Sequence, residues 1–140
     1  MFMSRILSID YGEKRIGLAL SDPLNIVATP LDTLVYEDDK IMLNQIAELV
    51  ISRDVTCILV GYPYGLKRHK TIQTKKVDDF IARLRSAVSV EIIPWDERFT
   101  SSEAEDILRL KGLKPSKNKK LIDQMAARII LQEYLDYGMK

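Results

Sequence analysis

The chain is poor in the residues that most often mark a site. Its 140 residues include one cysteine, one histidine and one tryptophan. A single cysteine, Cys57, excludes an internal disulfide. Its place in the apolar run TCILVG reads as a small buried core residue rather than a reactive thiol. The lone histidine, His69, reads as a surface-loop residue and receives no catalytic role. No apolar run approaches the roughly 20 residues of a membrane-spanning helix, and no signal peptide is read, so a cytoplasmic location is expected. Neither sign of charge is in excess: 21 Lys+Arg stand against 20 Asp+Glu. Any polyanion-binding role must therefore come from local clusters, not from the total. Internal repeats, low-complexity segments and a Gly-x-x-x-x-Gly-Lys phosphate loop are absent as well.

What is present suits one soluble domain spanning residues 1–140. Hydrophobic residues make up 46% and charged residues 29%, and the length can bury one core without disulfides. The first 35 residues read as three strands, RILSID, RIGLALSD and NIVATPLDTLV, the last interrupted by Pro30. Short turn-rich gaps between them imply antiparallel hairpins. Helical spacing of Met42, Ile46, Leu49 and Val50 then predicts a helix over 39–53. TCILVG (56–61) is a strand buried on both faces. A helix over 71–88 and the strand VEIIPW (90–95) follow. Thr100 with Glu103 can form a capping box opening a helix over 101–111, and a last helix covers 119–136. The order βββαβαβαα predicts an α/β fold, a mixed five-stranded sheet with helices on both faces. Chemistry in such sheets gathers at the carboxyl ends of strands.

Acids stand at three structural ends, two of them carboxyl ends of strands. Asp10 closes the first strand, beside Tyr11-Gly12. Asp96 and Glu97 follow VEIIPW. Asp123 falls in the first turn of the last helix, on one face with Ala126, Ala127, Ile130 and Tyr134, so it points toward the protein body. Each acid has a plain alternative: Asp10 as a turn residue, Asp96 as a loop cap, Glu97 in a surface ion pair, Asp123 favoured by the helix dipole. Together they form a set that repels itself unless cations neutralise it. Hard oxygen ligands of this kind favour Mg²⁺ or Mn²⁺, and two such ions can clamp the attacking and leaving oxygens of a phosphodiester. The acid-free run RLKGLKPSKNKK (109–120) leads directly into Asp123 and would offer a polyanion a positive approach. A second basic cluster, LKRHK, covers 66–70. A solvated loop is the plain alternative for both.

These motifs together resemble the YqgF/RuvX family of bacterial proteins, described as candidate pre-16S rRNA nucleases or Holliday junction resolvases. IDYGEKRIGLALSD, VGYPYG, DERFTSSEAE and KKLIDQMAARIILQEYLD occur in the family's order and spacing. Tyr62 replaces the usual leucine between Gly61 and Pro63, and the loop after it lacks the family's Asn and Asp-Gly character. The resemblance implies an RNase H-like, RuvC resolvase-like fold. It implies that Asp10, Glu97 and Asp123 are the catalytic, metal-binding set for two Mg²⁺ or Mn²⁺ ions, with Asp96 as an alternative or auxiliary ligand. By analogy, one ion activates a water and the other steadies the departing 3′ oxygen. Arg98 and Thr100 belong to the same motif, and Arg98 meets phosphate or holds an acid in place. Gly12 lets the backbone turn closely beside the site. Lys14 and Arg15 are substrate contacts or a solvated turn, and Lys117, Lys119 and Lys120 are further substrate contacts.

The expected function is a metal-dependent nuclease acting on structured RNA, in 5′-end processing of pre-16S rRNA. The alternatives are a Holliday junction resolvase acting on branched DNA, a non-catalytic RNA-binding module and, at some distance, an actin-like ATPase or sugar kinase. Nucleic acid is the expected partner, no membrane is involved, and the chain is a monomer or a homodimer.

Overall fold

A computed structural model of the chain describes residues 4–63, 71–96 and 100–138, the side chains of 100–103 excepted. Five strands, β1 (Arg5–Asp10), β2 (Arg15–Ser21), β3 (Ala28–Val35), β4 (Val55–Tyr62) and β5 (Glu91–Asp96), form one sheet in the order β3-β2-β1-β4-β5. The β1–β2 and β2–β3 pairs are antiparallel hairpins. The β1–β4 and β4–β5 pairs are parallel, because helices α1 (Asp39–Ser52) and α2 (Ile72–Ala87) return the chain between them. Helices α3 (Thr100–Leu110) and α4 (Lys119–Glu133) complete the order βββαβαβαα. This is the mixed sheet the sequence pattern predicts and the RNase H-like arrangement the resemblance implies.

Side-chain alternation divides β1 between two cores. Leu7 and Ile9 join Met42 and Ile46 of α1 and Phe80 and Leu84 of α2. Ile6 joins Leu59, Ala127, Leu131 and Leu135 on the other face. Each such fully buried aliphatic side chain contributes on the order of 1.5–3 kcal/mol, so the central strand is held from both sides. Cys57 is half-buried against the second cluster. Burial, then the charge of Glu91, pushes its thiol up to about 11, which makes it inert near neutral pH.

Local chemistry explains where elements stop. Asp38 caps α1 by accepting from the Ile41 N–H at 3.1 Å. Thr71 and Thr74 form a reciprocal capping box on α2. The capping box expected at Thr100 and Glu103 lies outside the described side chains. Helix α3 ends in a Schellman turn: Gly112 has φ 77, its N–H donates to Arg109, and the Leu113 N–H donates to Leu108.

Beyond shifts of a few residues at element ends, three local features differ from the sequence expectation. β3 starts at Ala28, because Asn25–Val27 wrap around Asp22, whose Oδ1 accepts from the N–H groups of Ile26 and Val27 at 2.7 and 2.8 Å. Pro30 does not interrupt β3: the strand is an edge, so the missing N–H removes no ladder bond. Asp123 lies in the second turn of α4, not the first, because the helix begins at Lys119. The dipole argument for its placement is therefore weak, since that effect fades beyond the first turn.

Candidate metal and nucleic-acid site

Asp10 is the last residue of β1, and alternation places it on the α4 face with Ile6 and Ser8. Its cross-strand partner in β2 is Gly17, which puts the two α-carbons about 4.5–5.5 Å apart. A Cβ on Gly17 would lie 2.1 Å from the carbonyl oxygen of Asp123 and 3.1 Å from its Cβ. Helix α4 therefore rests on bare backbone at Gly17. Asp123 is brought beside the residue that pairs with Asp10, although the two acids are far apart in sequence.

Several hydrogen bonds fix this seating. The buried Ser8 hydroxyl donates to the carbonyl of Ala127 at 2.6 Å. Thr33 Oγ1 donates to the carbonyl of Lys120 at 2.8 Å. Gln132 accepts from the Ala28 N–H and donates to the Ile26 carbonyl. Thr33 reaches α4 from a bulge: Leu18 pairs with Leu31 but Ile16 pairs with Leu34, so β3 carries one extra residue opposite Gly17. Buried Ala126 and Ala127 complete the close approach.

Arg15, on the same face of β2, donates from Nε to Asp123 Oδ2 at 3.0 Å; the two side chains are 33% and 21% exposed. Burial pushes the Asp123 carboxyl up from its ordinary value, and the hydrogen bond and charge of Arg15 only partly oppose it. Burial thus disfavours the charged form of this acid, and Arg15 favours it.

The turn between Asp10 and Arg15 is tied to its neighbours. Tyr36 pins it twice, through its N–H to the Lys14 carbonyl at 3.1 Å and its hydroxyl to the Gly12 carbonyl at 2.7 Å. A Cβ on Gly12 would meet the Arg15 carbonyl oxygen at 2.5 Å, so glycine serves close approach here. Tyr11 stacks on Phe80 with centroids 4.4 Å apart. Arg83 contacts the Tyr11 hydroxyl and pairs with Asp39, and Lys76 pairs with Glu13. Lys14 stays exposed on this turn.

Beside Arg15 opens a depression of about 460 Å³ whose other lining residues run from Ser116 to Leu121. Arg15, Lys117, Lys119 and Lys120 make it cationic. Asn118 precedes α4 without capping it and instead donates from Nδ2 to the Lys114 carbonyl. The positive end of the helix dipole adds to the lysines there.

The structure thus links the predicted residues in a chain: Asp10 pairs with Gly17, Gly17 lies against Asp123, Asp123 pairs with Arg15, and Arg15 lines the depression with Lys117, Lys119 and Lys120. Asp96 pairs with Tyr62 and shares the parity of Ile92, which assigns it to the α1–α2 face, opposite Asp123. Glu97, Arg98, the 66–70 cluster and His69 lie outside the described residues. Thr100 opens α3, but its side chain is not among those described. Among the described residues, no group of three or more His, Cys, Asp or Glu is arranged to hold a metal ion. Asp10 and Asp123 still offer hard oxygen donors suited to Mg²⁺ or Mn²⁺, and the guanidinium on Asp123 shows that a positive charge is accommodated there. Gly17, Ser8 and Thr33 were not anticipated. A glycine inside a buried apolar strand was the available signal for the first, since it marks close backbone approach.

A family model described as RuvX: Holliday junction resolvase matches residues 4–137. The chain belongs to the RuvX family. Among RuvX relatives, a protein of Syntrophus aciditrophicus is 45% identical over 132 residues, covering 94% of this chain and 88% of its own length. One of Dictyoglomus turgidum is 42% identical over 132 residues, covering 94% of each. Both bear the name "Putative pre-16S rRNA nuclease". Among solved structures, Thermus thermophilus RuvC in complex with a Holliday junction substrate superposes with a TM-score of 0.60 at 15% identity, over 97% of this chain and 96% of that one. Fowlpox virus resolvase in complex with Holliday junction DNA gives 0.59 at 14% identity, over 97% and 99%. At these identities the likeness shows the fold.

Proposed function

We propose that the chain is a metal-dependent nuclease that hydrolyses phosphodiester bonds in structured RNA, with the 5′ end of pre-16S rRNA as its substrate. The observation that carries this reading is that Gly17, the strand partner of Asp10, lies against the main chain of Asp123, near a lysine-lined depression that Arg15 shares. Acids in a half-buried cleft next to concentrated positive charge suit a polyanion that reacts at a metal. The names of the relatives favour RNA over DNA.

Asp10, Asp123 and, from its place in the DERFT motif, Glu97 would hold Mg²⁺ or Mn²⁺. Bound ions of this kind supply an activated water and neutralise the charge on the departing oxygen. The chain's own residues do the rest. The pinned 11–14 turn fixes the carboxylate of Asp10, and Ser8 and Thr33 fix α4 and with it Asp123. Lys117, Lys119 and Lys120 hold the phosphate backbone in register, contributing salt-sensitive affinity without base readout. Arg98, Thr100 and Lys14 are further candidate substrate contacts from their motifs.

The test is cleavage of a pre-16S leader RNA and of a four-way DNA junction in parallel, with Mn²⁺ and with Asp10→Asn as control. Leader cleavage that disappears in the variant supports the reading. Symmetric cleavage of the junction alone makes the protein a resolvase. Binding of RNA with no metal-dependent cleavage of either substrate makes it a binding module.

A further inference from the structure

Arg15 stands between two chemically different places. Its Nε–H is on Asp123 Oδ2 at 3.0 Å, and its side chain also lines the depression built by Lys117, Lys119 and Lys120. Its backbone is fixed: Arg15 opens β2, pairs with Val35, and its carbonyl is in close approach to Gly12. Only the side chain can change partner, and a third of it is already exposed.

A carboxylate oxygen cannot serve a guanidinium and a divalent ion at full strength. The Nε contact is not the two-point fork that gives Arg–carboxylate pairs their strength. An ion of twice the charge, with a preference for hard oxygen, should displace it. The guanidinium then faces the lysine-lined depression, where phosphate is the fitting partner.

We infer that Arg15 is a built-in competitor for the cation at Asp123 and, once displaced, a ligand for substrate phosphate, so that metal binding and polyanion binding reinforce each other. The inference rests on the metal-site reading above. In the metal-free protein Arg15 shields the half-buried acid. With metal bound it adds a positive charge where the nucleic acid must lie, and by linkage nucleic acid must strengthen metal binding by the same factor.

Mn²⁺ binding to the full chain, measured by titration calorimetry without nucleic acid, tests the first half in wild type, Arg15→Gln, Arg15→Lys and Asp123→Asn. Arg15→Gln should bind Mn²⁺ about tenfold more tightly, from the low end of what a neighbouring opposite charge does to a carboxylate. Arg15→Lys should fall between it and wild type, and Asp123→Asn should bind more weakly. Equal affinity in wild type and Arg15→Gln, with loss in Asp123→Asn, overturns the competitor role and leaves the metal site standing. Unchanged affinity in Asp123→Asn overturns the metal-site reading and this inference with it. If Arg15→Gln does not fold by circular dichroism, the Arg15→Lys comparison decides.

The second half is read from the affinity for a short RNA hairpin in Ca²⁺, an ion that need not support cleavage, against EDTA. Wild type should bind more tightly in Ca²⁺, and Arg15→Gln should lose most of that gain. An equal gain in both proteins overturns the coupling.

Discussion

Gly17 lies directly against the main chain of Asp123: a methyl group on Gly17 would lie 2.1 Å from the Asp123 carbonyl oxygen. The obstacle is main chain, so α4 must shift to admit it. Gly17→Ala is expected to cost about 3 kcal/mol, the upper part of the usual range for overpacking, and to abolish cleavage by moving Asp123 away from Asp10. Urea unfolding and a cleavage assay check both. Gly112→Ala is the control. It strains a residue at φ 77 with open space around its Cβ position, so it should lower stability by about 1–2 kcal/mol and leave cleavage within a few-fold of wild type.

Ser8 is the second anchor of α4. Its hydroxyl is buried and donates to Ala127 at 2.6 Å. Ser8→Ala removes this bond at a cost of about 1 kcal/mol. Because Ser8 lies two residues before Asp10 on the same face, the metal-dependent rate should fall more than RNA affinity does. Comparing kcat and KM checks this; a change in KM alone contradicts it.

The lysines should act on affinity and not on chemistry. Replacing Lys117, Lys119 and Lys120 by Gln should weaken RNA binding. Every lysine–phosphate pairing that the substitutions remove should reduce the slope of log affinity against log salt by about one. Single-turnover cleavage at saturating RNA should change little. An unchanged slope in the triple variant would place the substrate elsewhere.

Two acids give opposite pH signatures in the metal-free protein. Asp123 is raised, chiefly by burial, so the folded state binds its proton more tightly than the unfolded chain does. Its stabilising contribution is present below the ordinary Asp value of 3.8 and is lost as pH rises through the folded value. Asp22 is lowered by the N–H groups of Val27, Ile26 and Leu24. Its contribution is present above 3.8 and is lost as pH falls through its folded value. Urea melts in EDTA across the acid range should therefore show wild type losing stability relative to Asp123→Asn as pH rises. They should show wild type losing stability relative to Asp22→Asn as pH falls.

The fold was legible because its elements carry strong local patterns. Helical spacing gave α1 and α2 to within a residue or two of the observed ends, and alternation with strands gave the mixed sheet. Asn25–Val27 break the strand pattern they suggest: apolar Ile26 and Val27 look like strand, while Asp22, which decides the matter, satisfies their N–H groups from several residues away. Pro30 misleads because edge position is a property of the sheet and not of the strand. For the site, Asp10 was legible as an acid at a strand end and Asp123 as an acid on the inward face of the last helix. Their link through Gly17, the Thr33 bulge and the Ser8 tie were not, because each depends on how α4 lies across β1, β2 and β3. The face of Asp96 depends likewise on register with Tyr62, which no local pattern encodes.

The central claim is that Asp10 and Asp123 form one site. Single-turnover, Mn²⁺-dependent cleavage of a pre-16S leader RNA by wild type, Asp10→Asn, Asp123→Asn and the double variant tests it most directly. Groups that act as a unit are not additive, so each single variant should lose nearly all activity, on the order of 10³-fold or more, and the double variant should be no worse than either single one. Multiplicative losses, or a single variant that cleaves at the wild-type rate, would contradict the account.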